Sequence, residues 1–432
     1  MGERIASNNL TARGPAVWEP LRAVRIDEFS PAAISSRLIR ADENAAVITY
    51  IPTMRLDLFA TTRPDAELHP QFLNLRDSPL MAPARATLRD VVATMSDPDG
   101  NLVEQFQTFG FDARTFEIYL HTLFTNEGHT IDRSHARPDF LISRDGLTVA
   151  IEAVTANPPP KPDYQPYVPV YRRSPRSRED VIRYLRHEVQ IKFGSPLYSK
   201  LKKAYWKLPH VEGRPFVLAI ESFHGDASLT ISSTALSDYL FGVNHRHHFN
   251  DEGSLVVEAD AIAEHVGSKT IPSHFFQQPG AENISGVLFS NAGTIPKFNR
   301  IGQEGIHRSE QVRMIRYGTC YDHDPNATAP NTFAYEVGNS SFPPEPWRQG
   351  SVMIHNPNAL RPLPPEWIGA GAEENLGERG NVVPIWRDPF MPYMSMTKLF
   401  PGDMPTRQIW EQAEHEIRHL IMGQAVAQDW VQ

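Results

Sequence analysis

Residues 137–156 read RPDFLISRDGLTVAIEAVTA, and this stretch decides the fold that we predict for the chain. Two apolar segments, Asp139–Ser143 and Leu147–Thr155, are separated by Arg144-Asp145-Gly146. An Asp-Gly pair between apolar segments is typical of a β-hairpin, because the tight turn requires positive φ angles that these residues tolerate. The sequence therefore predicts two antiparallel strands joined by a short turn.

A helical pattern and a short strand precede the hairpin. Apolar residues recur at helical spacing from position 102 onward, at Leu102, Phe106, Phe109, Phe116, Tyr119, Leu120 and Leu123. Gly110 is predicted to divide this pattern into two helices, and the second helix is predicted to end near Gly128. His129–Ile131 follows as a predicted strand, so the hairpin gains a third strand.

Another helix and strand are predicted after the hairpin. Ser195 and Pro196 are predicted to open a helix that reaches about Leu208, because a serine N-cap followed by a first-turn proline is a common helix start. A strand over Phe216–Ile220, a helix over Ser232–Leu240 and a strand over Ser285–Ser290 are predicted next. The order helix, three strands, helix, strand predicts an α/β fold with a mixed sheet.

Two carboxylates on the hairpin are the candidate site. Antiparallel pairing can bring Asp139 and Glu152 together, and Glu152 interrupts an apolar strand, where an unpaired carboxylate would be costly. Two converging acids do not both stay ionised cheaply without a cation, and Mg²⁺ binds a few carboxylate oxygens together with waters. The residues predict a metal site. The alternative is a turn-forming Pro-Asp pair and a solvent-facing glutamate.

The same residues resemble a known family. The paired motifs of the PD-(D/E)XK restriction-endonuclease-like nucleases resemble Arg137-Pro138-Asp139-Phe140 together with Glu152, which follows Asp139 by thirteen residues. The first helix of that fold resembles Phe116–Leu120. The resemblance covers residues 104–223. It implies a metal-dependent nuclease that hydrolyses phosphodiester bonds of nucleic acid, with DNA as the expected substrate. It also implies a restriction-endonuclease-like core, with a central mixed β-sheet flanked by helices and with N- and C-terminal elaborations.

The resemblance also implies roles for individual residues. Asp139, Glu152 and the carbonyl oxygen of Ala153 would hold Mg²⁺ or Mn²⁺, and Glu117 on the first helix would assist. The motif expects a lysine two residues after the glutamate, where this chain has Val154. In related proteins the following helix supplies this lysine, so Lys200 is the predicted substitute and Lys192 the second choice. If neither reaches the metal, the chain is an inactive relative that binds nucleic acid.

Basic residues are concentrated after the hairpin. Between residues 161 and 214, 13 Lys and Arg residues accompany five acids, so this segment is +8 in a chain whose net charge is −9. Such a segment can follow the phosphates of a nucleic acid, or it can be a solvated loop. The residues expected to bind nucleic acid are Arg172, Arg173, Arg176, Arg178, Lys202 and Lys203.

A rival motif lies near the C-terminus. His415-Glu416-Ile417-Arg418-His419 matches the pattern of a zinc protease helix, in which two histidines bind zinc and the glutamate is the base. The third zinc ligand would have to come from elsewhere, such as His355 or the histidines at 245, 247 and 248. The segment of these three histidines is predicted to be a polar loop. A solvent-facing helix is therefore the default interpretation, and a zinc metalloprotease the less favoured alternative.

The composition of the chain limits its cellular location, and the distribution of prolines and motifs suggests how it is organised. A single cysteine, Cys320, and the lack of a signal-peptide pattern predict a cytoplasmic protein, and no apolar segment has the length of a membrane span. The predicted organisation is an N-terminal accessory region (1–100), a nuclease-like core (101–295) with a basic insertion (157–194), and a proline-rich C-terminal region (296–432) ending in a helix. A homodimer is left open.

Overall fold

The computed structural model describes residues 56–157, 183–223 and 228–428, with side chains in the last helix up to Arg418. Residues Met54–Gln432 form one compact unit. This unit contains the predicted core and extends into the predicted C-terminal region, because strands from both contribute to one sheet. The first 55 residues of the predicted accessory region lie outside the described residues.

Eight α-helices are described in these ranges. They are α1 (Pro70–Asp77), α2 (Ala82–Val92), α3 (Leu102–Gln107), α4 (Phe111–Asn126), α5 (Val189–Lys203), α6 (Thr234–Phe241), α7 (Ile295–Glu304) and α8 (Thr406–Gln428). Gly110 separates α3 from α4, and the chain leaves α4 through Gly128, whose φ of +83° favours glycine. The predicted division into two helices is confirmed.

Fifteen strands are described in the same ranges. They are β1 (Thr130–Asp132), β2 (Phe140–Arg144), β3 (Leu147–Ala156), β4 (Phe216–Ser222), β5 (Val243–Phe249), β6 (Leu255–Ala261), β7 (Glu264–Val266), β8 (Thr270–Pro272), β9 (Gly286–Ser290), β10 (Val312–Cys320), β11 (Asn331–Glu336), β12 (Ser351–His355), β13 (Ala372–Leu376), β14 (Val382–Trp386) and β15 (Pro392–Pro401). The central sheet has the order β1-β2-β3-β4-β9-β12-β13-β14. β3, β4 and β9 are parallel, as are β12 and β13, and the other neighbours are antiparallel. The fold is a mixed α/β fold with helices on both faces of a large sheet.

The hairpin forms as predicted. Arg144 pairs with Leu147, and the two residues between them have positive φ angles, 52° at Asp145 and 78° at Gly146. This is the geometry of a two-residue hairpin turn, which matches the right-handed twist of the flanking strands. The turn fixes the register of the whole hairpin, and the register decides which residues share a face of the sheet.

The side chains of β3 alternate between two hydrophobic cores. Val149 and Ile151 lie in the core that α4 covers, together with Phe116 and Leu120 of that helix. Ala150 and Val154 face the opposite core. This core also contains Leu197 and Leu201 of α5, and Leu218 of β4, a strand whose residues are all buried. By this alternation Glu152 projects toward α5.

The predicted start of α5 is wrong. The helix is already formed at Val189, after a π-helical turn over Tyr184–Glu188, and Pro196 lies inside it. The Ser195 hydroxyl donates to the Ile191 carbonyl, as in a helix interior, and does not cap a helix end. A proline inside a helix costs one backbone hydrogen bond. The buried side chains on both sides of it, including Phe193 and Leu197, explain why packing outweighs this cost.

The histidine segment at 244–249 is a strand and not the predicted polar loop, since it forms β5 and pairs with β6. The Nε2 atom of His245 accepts a hydrogen bond from the Val382 N–H on β14, the edge strand of the central sheet. The residue that next points outward on this edge is Pro384, which has no N–H. A further strand would therefore find few donors on β14, which is a common protection of a sheet edge.

The C-terminal helix packs on a second sheet, whose order is β11-β10-β15. Ile409, Ala413 and Ile417 form a stripe at helical spacing and are buried against Ile315 and Phe400 of the sheet. None of the helices among the described residues is both long and apolar enough to cross a membrane.

Candidate carboxylate site

The hairpin register places the two candidate carboxylates side by side. Phe140 pairs with Ile151, so the next position of the same register sets Asp139 opposite Glu152 on one face of the sheet. Because β2 begins at Phe140, the N–H of Ala153 has no backbone partner on that side. The Asp139 side chain takes this place, and its Oδ2 accepts the Ala153 N–H at 2.7 Å. Asp139 is thereby tied to the strand that carries Glu152.

The Ala153 carbonyl shares this side of the strand. In a β-strand the N–H and the C=O of one residue point to the same side, and the Ala153 N–H points to Asp139. The carbonyl oxygen therefore faces the end of β2, where no further backbone of that strand pairs with β3. Two carboxylates and one carbonyl thus border one edge of the hairpin.

Lys200 reaches this site from α5. Its ammonium group donates a hydrogen bond to Oε1 of Glu152, and the two side chains form an ion pair. The Glu152 side chain is only 4% exposed, and its second oxygen, Oε2, is buried without a hydrogen-bond partner among the described residues. A buried carboxylate oxygen without a partner loses its hydration with no compensation. This oxygen is therefore open to a hydrogen-bond donor or a cation.

The electrostatic surroundings of Glu152 favour its protonated form. Burial raises the pKa of Glu152 to about 7, and the nearby charge of Asp139 adds to the increase. Lys200 and Lys203 oppose the change, because a cation stabilises the carboxylate. A bound cation would act in the same direction as these lysines.

The raised pKa predicts how stability depends on pH in the metal-free protein. Below about pH 4.5 Glu152 is protonated whether the chain is folded or unfolded. As the pH rises toward 7, the unfolded chain loses this proton first, so the free energy of unfolding falls by up to about 3 kcal/mol. Glu152→Gln should lack this decrease. Urea unfolding at pH 5 and pH 8 in EDTA, with Glu258→Gln as control, measures it, and equal pH dependence in both variants would contradict the assignment.

Glu117 is held by arginines. Arg114 donates to both carboxylate oxygens at 2.7 Å, and Arg133 donates to Oε2 at 3.1 Å. Burial is the largest cause of the raised pKa of Glu117, followed by the charge of Asp139, and both arginines oppose it. The direct partners of Glu117 are thus two arginines, one on α4 and one in the segment after β1, which oppose the raised pKa without cancelling it. The metal role of Glu117 stays a prediction.

Removal of Glu117 should destabilise the fold, because it would leave the Arg114 and Arg133 charges without a buried partner. We expect Glu117→Ala to lower the free energy of unfolding by about 3 kcal/mol. Glu104→Ala is the matched control, because Glu104 pairs with Arg63 at the surface and should contribute less than about 1 kcal/mol. Denaturant unfolding of both variants tests this, and similar small losses would exclude a structural ion pair at Glu117.

The other predicted residues have different surroundings. Lys192 lies two turns before Lys200 on α5, is half-buried, and makes no ion pair within the described part of the chain. Lys202 and Lys203 are exposed. The Nζ atom of Lys202 lies 4.4 Å from the ring centroid of Tyr198, and that of Lys203 lies 5.8 Å from the ring centroid of Tyr205. The four arginines of the predicted nucleic-acid interface, Arg172, Arg173, Arg176 and Arg178, lie outside the described residues.

In the zinc-protease motif on α8 the glutamate contacts the second sheet, and the side chain of His419 lies outside the described residues. Glu416 forms an ion pair with Lys398 at 2.7 Å and accepts a hydrogen bond from the Tyr317 hydroxyl, both on the second sheet. Its carboxylate is thus turned to the sheet. Among the side chains described in residues 56–157, 183–223 and 228–418, no group of three or more His, Cys, Asp or Glu residues is arranged to hold a metal ion.

Sequence reasoning missed several residues that border the carboxylate site. His135 and Arg137 precede Asp139 on the approach to β2, and Tyr205 and His210 follow α5. Their contacts join the two segments, since Arg137 bonds to Tyr205 and His210 bonds to the Arg137 backbone. The only available signal was their short distance along the chain from Asp139 and Lys200.

Comparisons with family models, curated proteins and solved structures find no significant match to this chain.

Proposed function

We propose that this protein is a metal-dependent nuclease, built on a restriction-endonuclease-like core, that hydrolyses phosphodiester bonds of nucleic acid, with DNA as the expected substrate. The observation that carries the proposal is the buried Oε2 atom of Glu152, which has no partner among the described residues and lies beside Asp139. A structural glutamate in this strand would be expected to have both oxygens satisfied. The unpaired oxygen supports a ligand role.

The donor set fits Mg²⁺ or Mn²⁺. Asp139, Glu152 and the Ala153 carbonyl offer only oxygen atoms, which these hard ions prefer. Mg²⁺ is commonly held by one or two carboxylates and completes its shell with waters and substrate phosphates, so three protein ligands suffice. When bound, the ion would supply a more acidic water and neutralise charge that develops on the phosphate.

The side chains around the proposed metal site would have different roles in the reaction. Asp139 is fixed by the Ala153 N–H through Oδ2, so its other oxygen remains for a ligand. Lys200 holds a proton at Nζ beside Glu152 and can orient the attacking water or stabilise charge on the phosphate. Lys202 and Lys203 are exposed on the same helix and would contribute phosphate contacts.

The first test is an activity assay with metal control. The purified protein is incubated with single-stranded DNA, duplex DNA, RNA and casein in Mg²⁺, Mn²⁺ or EDTA, and its metal content is measured. We expect nucleic acid to be cut with Mg²⁺ or Mn²⁺, to stay intact in EDTA, and casein to stay intact throughout. Intact nucleic acid under all these conditions would reject the nuclease proposal.

An inactive relative that binds nucleic acid is the second candidate. One observation favours it: Lys200 already supplies a positive charge to Glu152, so the buried carboxylate does not require a metal ion for neutralisation. Val154 also stands where the motif has its lysine. Metal binding separates the candidates, because the nuclease should bind Mn²⁺ through Asp139 and Glu152, whereas the inactive relative should not.

A zinc protease is the least supported candidate function, and substitution of Glu416 tests it. Because the Glu416 carboxylate is occupied by Lys398 and Tyr317, we expect Glu416→Ala to leave any hydrolytic activity unchanged. The purified protein should contain no stoichiometric zinc. Casein hydrolysis that is lost in Glu416→Ala, together with one zinc per chain, would reverse this conclusion.

A further inference from the structure

Two cations beside the carboxylate site are anchored to one tyrosine. Arg137 donates from Nη1 to the Tyr205 hydroxyl at 2.6 Å, and its guanidinium carbon lies 5.7 Å from the ring centroid. Lys203, one turn after Lys200 on α5, has its Nζ 5.8 Å from the same centroid. Tyr205 is only 7% exposed, so its ring is a buried support for both side chains. The two positive charges thus lie on opposite chain segments that meet at one tyrosine beside the site.

These charges lie near the Glu152 carboxylate, but they form no ion pair with an acid in the described part of the chain. Arg137 and Lys203 are both exposed, and neither forms an ion pair there. Arg246 on β5, by contrast, is paired with Glu258 at 3.0 Å and with Asp260 at 2.9 Å. Exposed cations without partners are available to an external anion such as a phosphate.

A stacked pair of imidazoles continues this surface. The rings of His135 and His210 are parallel within 5°, with centroids 3.8 Å apart. The Nε2 atom of His210 lies 2.6 Å from the Arg137 carbonyl oxygen, to which it donates, so the stack is attached to the residue that carries the guanidinium. His135 is exposed, whereas His210 is half-buried.

An aromatic face next to cations is the combination that proteins use to bind unpaired bases. The base stacks on the ring while neighbouring cations contact the phosphates, and the stacking tolerates any sequence. In a duplex the faces of the bases are covered by their neighbours, so a stacking surface gains contacts only with unpaired bases. The surface beside Asp139 and Glu152 therefore matches a single strand better than a duplex.

We infer that His135, Arg137, Lys203 and His210, called here the basic rim, bind an unpaired nucleic-acid strand. The phosphates lie at Arg137 and Lys203, and a base stacks on His135. The inference rests on the proposed function for nucleic acid as the ligand, and it adds that the strand entering the carboxylate site is single.

Binding without cleavage tests the basic rim. A fluorescein-labelled 20-nucleotide DNA strand and the matching duplex are titrated with protein in EDTA and in Ca²⁺, and anisotropy gives Kd over a range of salt concentrations. We expect the single strand to bind at least about tenfold more tightly than the duplex, and His135→Ala to weaken single-strand binding about tenfold. In Arg137→Gln/Lys203→Gln the slope of log K against log salt should decrease by about 1.4, since each lost phosphate contact contributes about 0.7.

Matched controls lie on the β5–β6 hairpin. Arg246→Gln removes an exposed arginine that is already paired, and His248→Ala removes an exposed histidine, so both should bind like the wild type. Thermal unfolding checks that all variants are folded. Equal binding of strand and duplex, unchanged binding by the rim variants, or no binding under either condition would each overturn the inference.

The two proposals fail differently. If the rim variants bind normally while Asp139→Asn abolishes cleavage, the basic rim is wrong and the nuclease stands. If strand binding depends on the rim but no metal supports cleavage, the rim stands and the nuclease is wrong.

Discussion

Asp139→Asn and Glu152→Gln should each reduce Mg²⁺-dependent cleavage of DNA by a factor on the order of 10³. Each change replaces a carboxylate of the proposed metal site by a neutral amide, which binds a hard divalent cation less tightly. The effect should appear in turnover and in metal affinity together. Single-turnover cleavage assays and calorimetric Mn²⁺ titrations of the two variants measure these quantities.

The local contacts explain why these variants should stay folded. The Asn oxygen at position 139 can still accept the Ala153 N–H, so the link between β2 and β3 is retained. Gln at position 152 has the volume of Glu and removes a buried charge that burial disfavours. Loss of activity would therefore report on the site and not on unfolding, which near-ultraviolet circular dichroism can verify.

Glu258→Gln is a suitable control, because Glu258 pairs with Arg246 on a hairpin outside the carboxylate site. It should cleave like the wild type. Cleavage at wild-type rates by both Asp139→Asn and Glu152→Gln would remove these residues from the metal site and with them the proposed function.

The hairpin was predictable from the sequence because its determinants are local. Asp145 and Gly146 specify the turn, and the turn sets the register that brings Asp139 opposite Glu152. Lys200, the predicted substitute for the motif lysine, contacts Glu152 of this hairpin. The catalytic roles of these residues remain predictions, since position alone does not establish chemistry.

The start of α5 was not predictable because it depends on tertiary packing. Ser195 and Pro196 carry the local pattern of a helix start, and the prediction from them was wrong. Burial of Phe193 and Leu197 against β4 and β9 continues the helix through the proline. Local preferences are weak compared with such burial.

The surroundings of Glu117 depend on contacts over a longer distance. Its partner Arg133 lies beyond the end of α4, after β1, and no sequence pattern links the two residues. The extension of the sheet by β12, β13 and β14 has the same origin, because strands more than 60 residues beyond β9 complete it. Pairings of this kind are decided by the fit of whole elements.

Lys200→Ala should lower turnover by a factor on the order of 10²–10⁴, the range of a positioned acid–base group. The proposed reaction needs a cation near the attacking water, and Val154 cannot provide one. In the described part of the chain, the ammonium group of Lys200 contacts Glu152, so the Lys200 side chain extends from α5 to β3. Its removal also leaves the buried Glu152 without its ion pair, so the pKa of Glu152 should rise further above about 7 and the activity should shift to higher pH.

Three comparisons separate catalysis by Lys200 from structure and binding. Lys200→Arg keeps the charge, so it should retain stability while losing much of the turnover, because the planar guanidinium does not reproduce the position of the ammonium. Lys203→Ala should mainly weaken binding in a salt-dependent way, and Lys192→Ala should have little effect on turnover. A loss of turnover in Lys192→Ala with normal turnover in Lys200→Ala would transfer the role to Lys192. Normal turnover in both variants would show that neither lysine is needed, and loss of the lysine requirement would then separate this chain from the mechanism of the family that it resembles.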